Sequence, residues 1–317
     1  MAALLATIAL GGCAVPTPPN HRPDTLTTST GPDLIPIAEK ELLGYDQPSE
    51  TNFPARQKLA LRHQDEIFAA VKPQVEKALG REVDLIELDA TYPTQTITVT
   101  YRTVDEPIIA DAADIAIDAD GAPVAGARVY MDEQTELRTV QSLLRIAYRT
   151  ELDQLRDTLL ATYPEFTVLP ERYVAAHQMA DPVFTVNFNS GPWEKAEADA
   201  AAEDALYAAY LEQPKRTDAE WRAIFDQAAG GRKFQVSVHL VLADPDHDIE
   251  ESVSVRIAED VKNATLPLDF NGWAIFTHTN LVLREKNGFH RQFDISYHLD
   301  DGDVGWDVNE WRDGGTL

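Results

Sequence analysis

Apolar and polar residues alternate along several stretches of the chain. Between residues 94 and 102, apolar side chains alternate with threonines, so each set faces one side of an extended strand. Alternation of this kind is typical of antiparallel sheets with one covered face. The same reasoning, applied to shorter runs as well, predicts strands at about 94–102, 107–117, 123–131, 166–169, 182–188, 233–243, 251–258, 273–284 and 290–299.

Elsewhere the apolar residues recur every three to four positions, which predicts helices. The longest such stripe covers about 133–162 and stops before Tyr163-Pro164. The last predicted helix opens with Thr217-Asp218-Ala219-Glu220, the pattern of a capping box. Helices are predicted at about 55–79, 133–162, 194–212 and 217–229.

The order of these elements predicts an α+β fold in which helices pack on largely antiparallel sheets. We expect two similar-sized modules, because an Asn-Ser-Gly-Pro break near residue 190 interrupts the pattern. The predicted organisation is a signal peptide at 1–12, an acylated cysteine with a Pro/Thr-rich tether at 13–52, and modules at 53–190 and 191–317.

Composition and charge narrow the class of protein. The 317 residues are 44% hydrophobic and 25% charged, which fits a folded chain with a sizeable core. There are 53 acidic against 27 basic residues, and the formal net charge is −26. Nothing offsets the repulsion of phosphates, so we expect no nucleic-acid partner. The single cysteine excludes a disulfide or a multi-cysteine metal site within this sequence.

The N-terminus carries the motif on which the predicted location depends. The apolar run over 3–12 is too short to span a bilayer and has the length of a secretory signal's hydrophobic region. It ends in Leu10-Gly11-Gly12-Cys13, which holds the only cysteine. This motif resembles the lipobox of bacterial lipoproteins, in which the cysteine thiol is diacylated and the signal is cleaved before it. The resemblance implies a lipid bilayer as partner and a location on the outer side of the cell membrane.

Residues 14–36 also favour export. They hold six prolines among Thr, Ser, Asn and Asp, a composition that forms no core and is typical of an extended tether. Secretory signals begin with Lys or Arg, which the opening Met1-Ala2-Ala3 lacks, so we expect translation to start upstream. The alternative is a buried helix of a cytosolic protein with an incidental cysteine.

The order of features along the chain is similar to that of a family of Gram-positive surface lipoproteins of unknown function. The shared features are the lipobox, the Pro/Thr tether, a helix, strands, a long central helix and a helix pair before Phe234–Ala243. The resemblance implies an exported and tethered protein, and it assigns no catalytic residue.

One candidate metal site is an acidic loop. Asp244, Asp246 and Asp248 alternate in it, and carboxylates so placed suit a hard cation such as calcium. The positions where an EF-hand requires Gly and Glu hold Ile249 and Val255. The pattern therefore predicts at most a weak calcium site, against the alternative of a solvated acidic loop.

A second candidate site lies on the last predicted strand. His290, Asp294 and His298 share one face of it, and such a face could hold a transition metal or perform acid–base chemistry. The alternative is a polar, solvent-facing sheet surface. His239 and His278 fall on other strands and would join this face only if strand pairing brought them together.

The sequence favours a non-enzymatic binding or envelope-associated module with an uncharacterised ligand. It contains no Gly-x-Ser-x-Gly, His-Glu-x-x-His or Walker motif. The alternative is an envelope hydrolase or metal-dependent enzyme that uses the His290/Asp294/His298 face or the Asp244–Glu251 loop. An enzyme predicts a pocket where these residues converge, whereas a binding module predicts a groove or sheet edge without clustered titratable groups. Apart from weakly held calcium, we expect no cofactor.

Overall fold

The structure is a computed structural model that describes most of the chain after residue 33. The described residues are 34–43, 54–91, 95–131, 134–188, 193–229, 234–264, 270–284, 288–300 and 303–312. The strands are β1 (Leu34–Pro36), β2 (Val83–Thr91), β3 (Thr96–Thr103), β4 (Ala110–Ala116), β5 (Val129–Met131), β6 (Phe166–Thr167), β7 (Phe184–Phe188), β8 (Phe234–Leu242), β9 (Phe270–His278), β10 (Leu281–Leu283), β11 (Arg291–Asp300) and β12 (Asp303–Arg312). The helices are α1 (Ile37–Leu43), α2 (Pro54–Arg62), α3 (Gln64–Leu79), α4 (Thr135–Ala147), α5 (Arg149–Thr162), α6 (Glu171–Ala176), α7 (Trp193–Glu212), α8 (Asp218–Ala229) and α9 (Glu251–Asn263).

The described strands form three sheets. A six-stranded sheet has the order β12-β11-β9-β8, and β6 and β7 both pair along the free side of β8. A four-stranded sheet has the order β2-β3-β4-β5, and β1 pairs with β10. All these pairs are antiparallel except β8 with β9. The α+β fold with largely antiparallel sheets is therefore confirmed.

The predicted strand at 251–258 was wrong, because these residues begin helix α9. Alternating β-branched residues imitate a strand there, but packing against the sheet overrides that preference. The side chains that become buried recur at helical spacing: Ser254, Ile257, Ala258 and Val261. Helix α9 supplies the crossover that a parallel pair such as β8–β9 requires.

Two predicted helices and one predicted strand are each divided in the structure. The stripe over 133–162 forms α4 and α5, which meet at Tyr148, where the ring packs edge-on against Phe225 of α8. The region 55–79 divides into α2 and α3 at His63. The strand predicted at 273–284 becomes β9 and β10, which are separated where the Asn280 side chain bonds to neighbouring backbone.

The largest hydrophobic core covers one face of the six-stranded sheet. Helices α4, α5, α7, α8 and α9 contribute buried side chains to it. The strands contribute alternate residues, among them Val236, Val238, Leu240, Ile275, Phe293 and Ile295. A second core joins the four-stranded sheet to α2 and α3, and a third cluster joins α6 to the β1–β10 pair.

The six-stranded sheet takes strands from both sides of residue 190. Strand β7 precedes this residue and pairs with β8, which follows it. Residues 34–43 lay within the predicted tether, yet they form β1 and α1, with Ile35 and Ile37 buried. Residues Pro32–Leu317 group into one compact unit. Cys13 and the signal at 1–12 lie outside the described residues.

Candidate functional site

In the acidic loop, two of the three aspartates bind protein groups. Asp244 accepts a hydrogen bond from the backbone N of Asp246 at 2.9 Å and pairs with His247 at 2.8 Å. These contacts hold the pKa of Asp244 below its usual value. Asp248 pairs with Arg291. Across the described parts of the chain, no three His, Cys, Asp or Glu side chains are arranged to hold a metal ion.

The predicted His-Asp-His face is only partly described. β11 begins one residue after His290, whose backbone N donates to the Leu281 carbonyl at 2.8 Å. Asp294 is half-buried and accepts from the Ser296 hydroxyl at 3.0 Å, and burial raises the pKa of its carboxyl. The side chain of His298 lies outside the described residues. A three-residue site on this face stays a prediction.

Strand pairing brings together the two histidines that the sequence left on separate strands. The parallel register places His239 opposite Phe276, and His278 lies two pairs further along, opposite Val241. His278 Nε2 lies 3.5 Å from His239 Nδ1, and the planes of the two rings are nearly parallel. Phe276 stacks on His239 with ring centroids 4.7 Å apart, and Phe289 stacks on His278 at 4.1 Å. An aromatic row therefore crosses this face of the sheet.

Both imidazoles are buried in their neutral form. Burial, with a smaller effect from His177, lowers the pKa of His239 to about 3. Burial and then the neighbouring His239 lower the pKa of His278 well below its usual value. Since proton transfer at neutral pH is most efficient for groups with pKa values near 7, the pair is a poor general base. The pair is better suited to packing and hydrogen bonding.

A cavity of about 300 Å³ opens beside His239. It lies between α4, the end of α6, β7 and the adjoining face of β8 and β9. Its apolar wall is formed by Met179, Ala180, Phe184, Val186 and Phe276. Its polar wall is formed by Arg138, Gln141, Arg145, His177, Gln178, Thr185, Ser237 and His239.

The end of α6 sets one rim of this cavity. Gln178 N donates to the Ala175 carbonyl and Met179 N to the Val174 carbonyl, the paired bonds of a Schellman motif. The motif needs a left-handed residue at its turn, which is usually glycine. Here that residue is Gln178, with φ 57°, and no other non-glycine residue in the described ranges has a positive φ. The glutamine side chain at the cavity therefore comes with a strained backbone at Gln178.

Arg145 fixes another part of the rim. Its guanidinium pairs with Asp181 at 2.5 Å and with Asp153 at 2.5 Å. The second oxygen of Asp181 accepts from the backbone N of Val183 and of Phe184, at 2.8 and 2.9 Å. This largely buried ion pair therefore ties the start of β7 to α4.

Comparison with known proteins places the chain in a family. A family model described as "Protein of unknown function (DUF1672)" matches residues 33–302. The chain belongs to the DUF1672 family. A crystal structure of a DUF1672 family protein from Staphylococcus aureus subsp. aureus Mu50 matches with a TM-score of 0.55 and 13% identity, over 91% of this chain and 100% of that one. At this identity the likeness shows the DUF1672 fold alone. No curated protein matches the chain.

All residues that line the cavity fall within the matched DUF1672 region. Sequence reasoning had named only His239 among them, and only as a residue whose partners were unknown. Arg138 and Gln178 lie 40 positions apart on different helices, and no spacing rule links them. The order of features predicted a family of unknown function, and membership of such a family is confirmed. None of the described helices is long and apolar enough to cross a membrane.

Proposed function

We propose that this DUF1672 protein is an extracytoplasmic binding module, anchored to a membrane through acylated Cys13, whose ligand occupies the cavity beside His239. The cavity is the observation that carries the binding function. Small-molecule sites are concave and mostly apolar, with a few polar groups that orient the ligand. The space between α4, α6 and β7 has this character and lies at the small end of the usual range of volumes.

The buried histidines favour binding over acid–base catalysis. His239 is the titratable group between the cavity and the sheet, and its pKa of about 3 leaves it neutral and weakly basic at physiological pH. A neutral imidazole that stacks on Phe276 offers a ligand a flat, partly polar floor. We therefore propose that this pair contributes to ligand binding and not to acid–base chemistry.

Anchoring rests on the lipobox and on charge. Leu10-Gly11-Gly12-Cys13 supplies the acceptor thiol, and the proline-rich residues 14–33 supply a tether with a reach of roughly 25 Å as a random coil. A body with a formal net charge of −26 is repelled by anionic lipid. Attachment to a membrane therefore needs the acyl chains, and one chain alone holds only marginally.

Anchoring is tested by mass spectrometry of the N-terminus of the protein from its native host. We expect a chain that begins at diacylated Cys13 and sediments with membranes, and we expect Cys13→Ala to leave the membrane fraction. A matched control is Ser252→Ala, which alters an exposed serine of the folded body and is expected to stay with membranes. A free thiol at Cys13 in the soluble fraction would contradict the anchor and leave the cavity proposal standing.

Ligand binding is tested by filling the cavity. Ser237 lines it and is half-buried, so Ser237→Trp places an indole in the space. Small molecules released by denaturing protein purified from the native host are identified by mass spectrometry. We expect one compound in the wild type and in the exposed control Ser252→Trp, and its loss in Ser237→Trp. Absence of any compound from the wild type, or equal amounts in all three, would overturn the binding function.

A further inference from the structure

We infer that the ligand of this cavity carries an anionic end, a carboxylate or a phosphate monoester, and that Arg138 binds it. This inference rests on the proposed binding function and specifies the chemical class of the ligand. Three observations carry it: the charge of the cavity wall, the neutral partners of Arg138, and the left-handed backbone of one of those partners, Gln178.

The cavity wall has the opposite charge character to the rest of the chain. The sequence holds 53 acidic residues, yet no Asp or Glu is among the described residues that line this space. The ionisable groups of the wall are Arg138, Arg145, His177 and His239. A cation in a partly enclosed wall attracts an anion when no carboxylate balances it, because the low-dielectric surroundings strengthen the field of an uncompensated charge.

The two arginines of the wall differ in their partners. Arg145 pairs with Asp153 and Asp181, so its charge is balanced within the protein. Arg138 bonds instead to two neutral amides, Gln141 Oε1 at 3.4 Å and Gln178 Oε1 at 3.3 Å. Its Nε is buried without a hydrogen-bond partner in the described structure.

Both amide contacts of Arg138 are long, and neither neutralises the cation. A guanidinium holds carboxylates and phosphates in a planar, two-bonded geometry that an amide pair does not satisfy. An anionic group in the cavity would therefore give Arg138 stronger partners than it has within the protein.

Gln178, which bonds to Arg138, has an unfavourable backbone conformation. Gln178 adopts φ 57° where the Schellman motif favours glycine, and its side chain is one of the two that position the guanidinium. Residues held in this region of backbone space cluster at ligand sites, where the surrounding structure over-determines them. Glycine here would relieve the strain and remove the contact with Arg138.

The apolar part of the cavity wall indicates the chemical character of the rest of the ligand. Phe184, Phe276 and Met179 present aromatic and thioether surface, which packs well on a flat apolar body. The predicted ligand is therefore a compact organic anion, with its charged end at Arg138 and its apolar body against the apolar wall of the cavity.

The inference is tested by calorimetric titration of the full chain with phenylacetate, phenyl phosphate and the neutral control phenylacetamide. We expect the wild type to bind at least one of the two anions and to bind phenylacetamide more weakly. Arg138→Gln should weaken anion binding by about tenfold to a hundredfold, the range for loss of a charged hydrogen bond. Preference for one anion identifies the class of headgroup.

Two further variants separate a binding role from a structural one. Arg128→Gln removes the same charge from an exposed position and should leave anion affinity unchanged. Gln178→Gly should raise the midpoint of thermal unfolding while it weakens anion binding, because it relieves strain and loosens Arg138. A purely structural role for Gln178 would change unfolding without changing affinity.

The outcomes distinguish this inference from the binding function on which it rests. Equal affinity for phenylacetamide and the anions, or anion binding that Arg138→Gln leaves intact, overturns the anionic ligand but leaves a neutral ligand in the cavity. If neither anion binds the wild type while a compound is still recovered from native protein, the inference also fails. Failure to recover any compound overturns the binding function itself.

Discussion

The two faces of the six-stranded sheet are built from alternate residues of the same strands, and they differ in what they bury. On one face Val236, Val238 and Leu240 of β8 pack into the helix-covered core. On the other face the intervening Ser237 and His239 border the cavity. The first face is apolar throughout its described centre, whereas the second combines polar and aromatic groups.

This difference shows that a polar position in an alternating strand need not face water. Alternation is usually interpreted as one buried and one solvated face. Here His239 is 4% exposed and His278 is fully buried, because the third hydrophobic cluster, which joins α6 to the β1–β10 pair, covers this side. Buried polar groups on a covered face indicate a site better than alternation does, because burying a polar group without its full set of hydrogen bonds costs free energy.

The largest expected effect comes from adding a charge to either face. Val238 is fully buried in the core, so Val238→Asp places an unpaired carboxylate there and should abolish cooperative unfolding. Ser237→Asp, one residue away, adds the same group to the half-buried cavity wall and should keep a cooperative transition. Circular dichroism during heating measures both. Similar loss in the two variants would show that the faces are not distinct.

A smaller loss of stability is expected from removing the charge of Arg145, which lies where the cavity joins the core. Arg145→Met leaves Asp181 without this cation, leaves Asp153 paired with Arg156 alone, and loosens the start of β7. Breaking one side of a largely buried ion pair should lower the free energy of unfolding by about 3 kcal/mol. Arg128→Met, at an exposed position, should change it by less than about 0.5 kcal/mol. Urea titration compares them, and equal stabilities would contradict the anchoring role of Arg145.

The third effect is a loss of stability that His239 causes only when the pH is lowered. The pKa of His239 is about 3 in the folded chain, against about 6.5 when unfolded. Its stabilising contribution is complete above pH 6.5, because both states are then neutral. As the pH falls from 6.5 toward 3, only the unfolded state takes up the proton. The free energy of unfolding should therefore decrease by about 1.4 kcal/mol per pH unit from this residue.

Urea titrations at several pH values between 7 and 4.5 measure this slope. His239→Phe removes the titrating group and keeps the stacking on Phe276, so the dependence on pH should become shallower. The exposed control Ser252→Phe, which adds the same ring without removing a titrating group, should reproduce the wild-type slope. Equal slopes in the wild type and His239→Phe would contradict a buried neutral histidine on the second face.

The fold class and several local features could be predicted from the sequence because they depend on local pattern. The capping box is confirmed, since Thr217 N donates to the Glu220 carboxylate at 2.7 Å and the Thr217 hydroxyl accepts from Glu220 N. Helix α9 was missed because β-branched residues imitate strand alternation. Without that helix there is no crossover, and hence no parallel pairing of β8 with β9.

The cavity could not be predicted from the sequence, because it is formed by the parallel pairing of β8 with β9 and by contacts between residues far apart in the chain. The approach of His239 to His278 follows from the parallel register, which sequence patterns do not encode. The contact between Arg138 and Gln178 depends on the packing of α4 beside the end of α6. A glutamine that follows a short helix gave no signal, because its left-handed conformation is unusual for that residue.

The most direct test of the account is a crystal structure of the protein with phenylacetate. We predict the carboxylate within hydrogen-bond distance of the Arg138 guanidinium and the phenyl ring against the apolar wall of the cavity. Phenylacetate bound elsewhere on the protein, with the cavity free of it, would contradict the assignment of this cavity as the binding site.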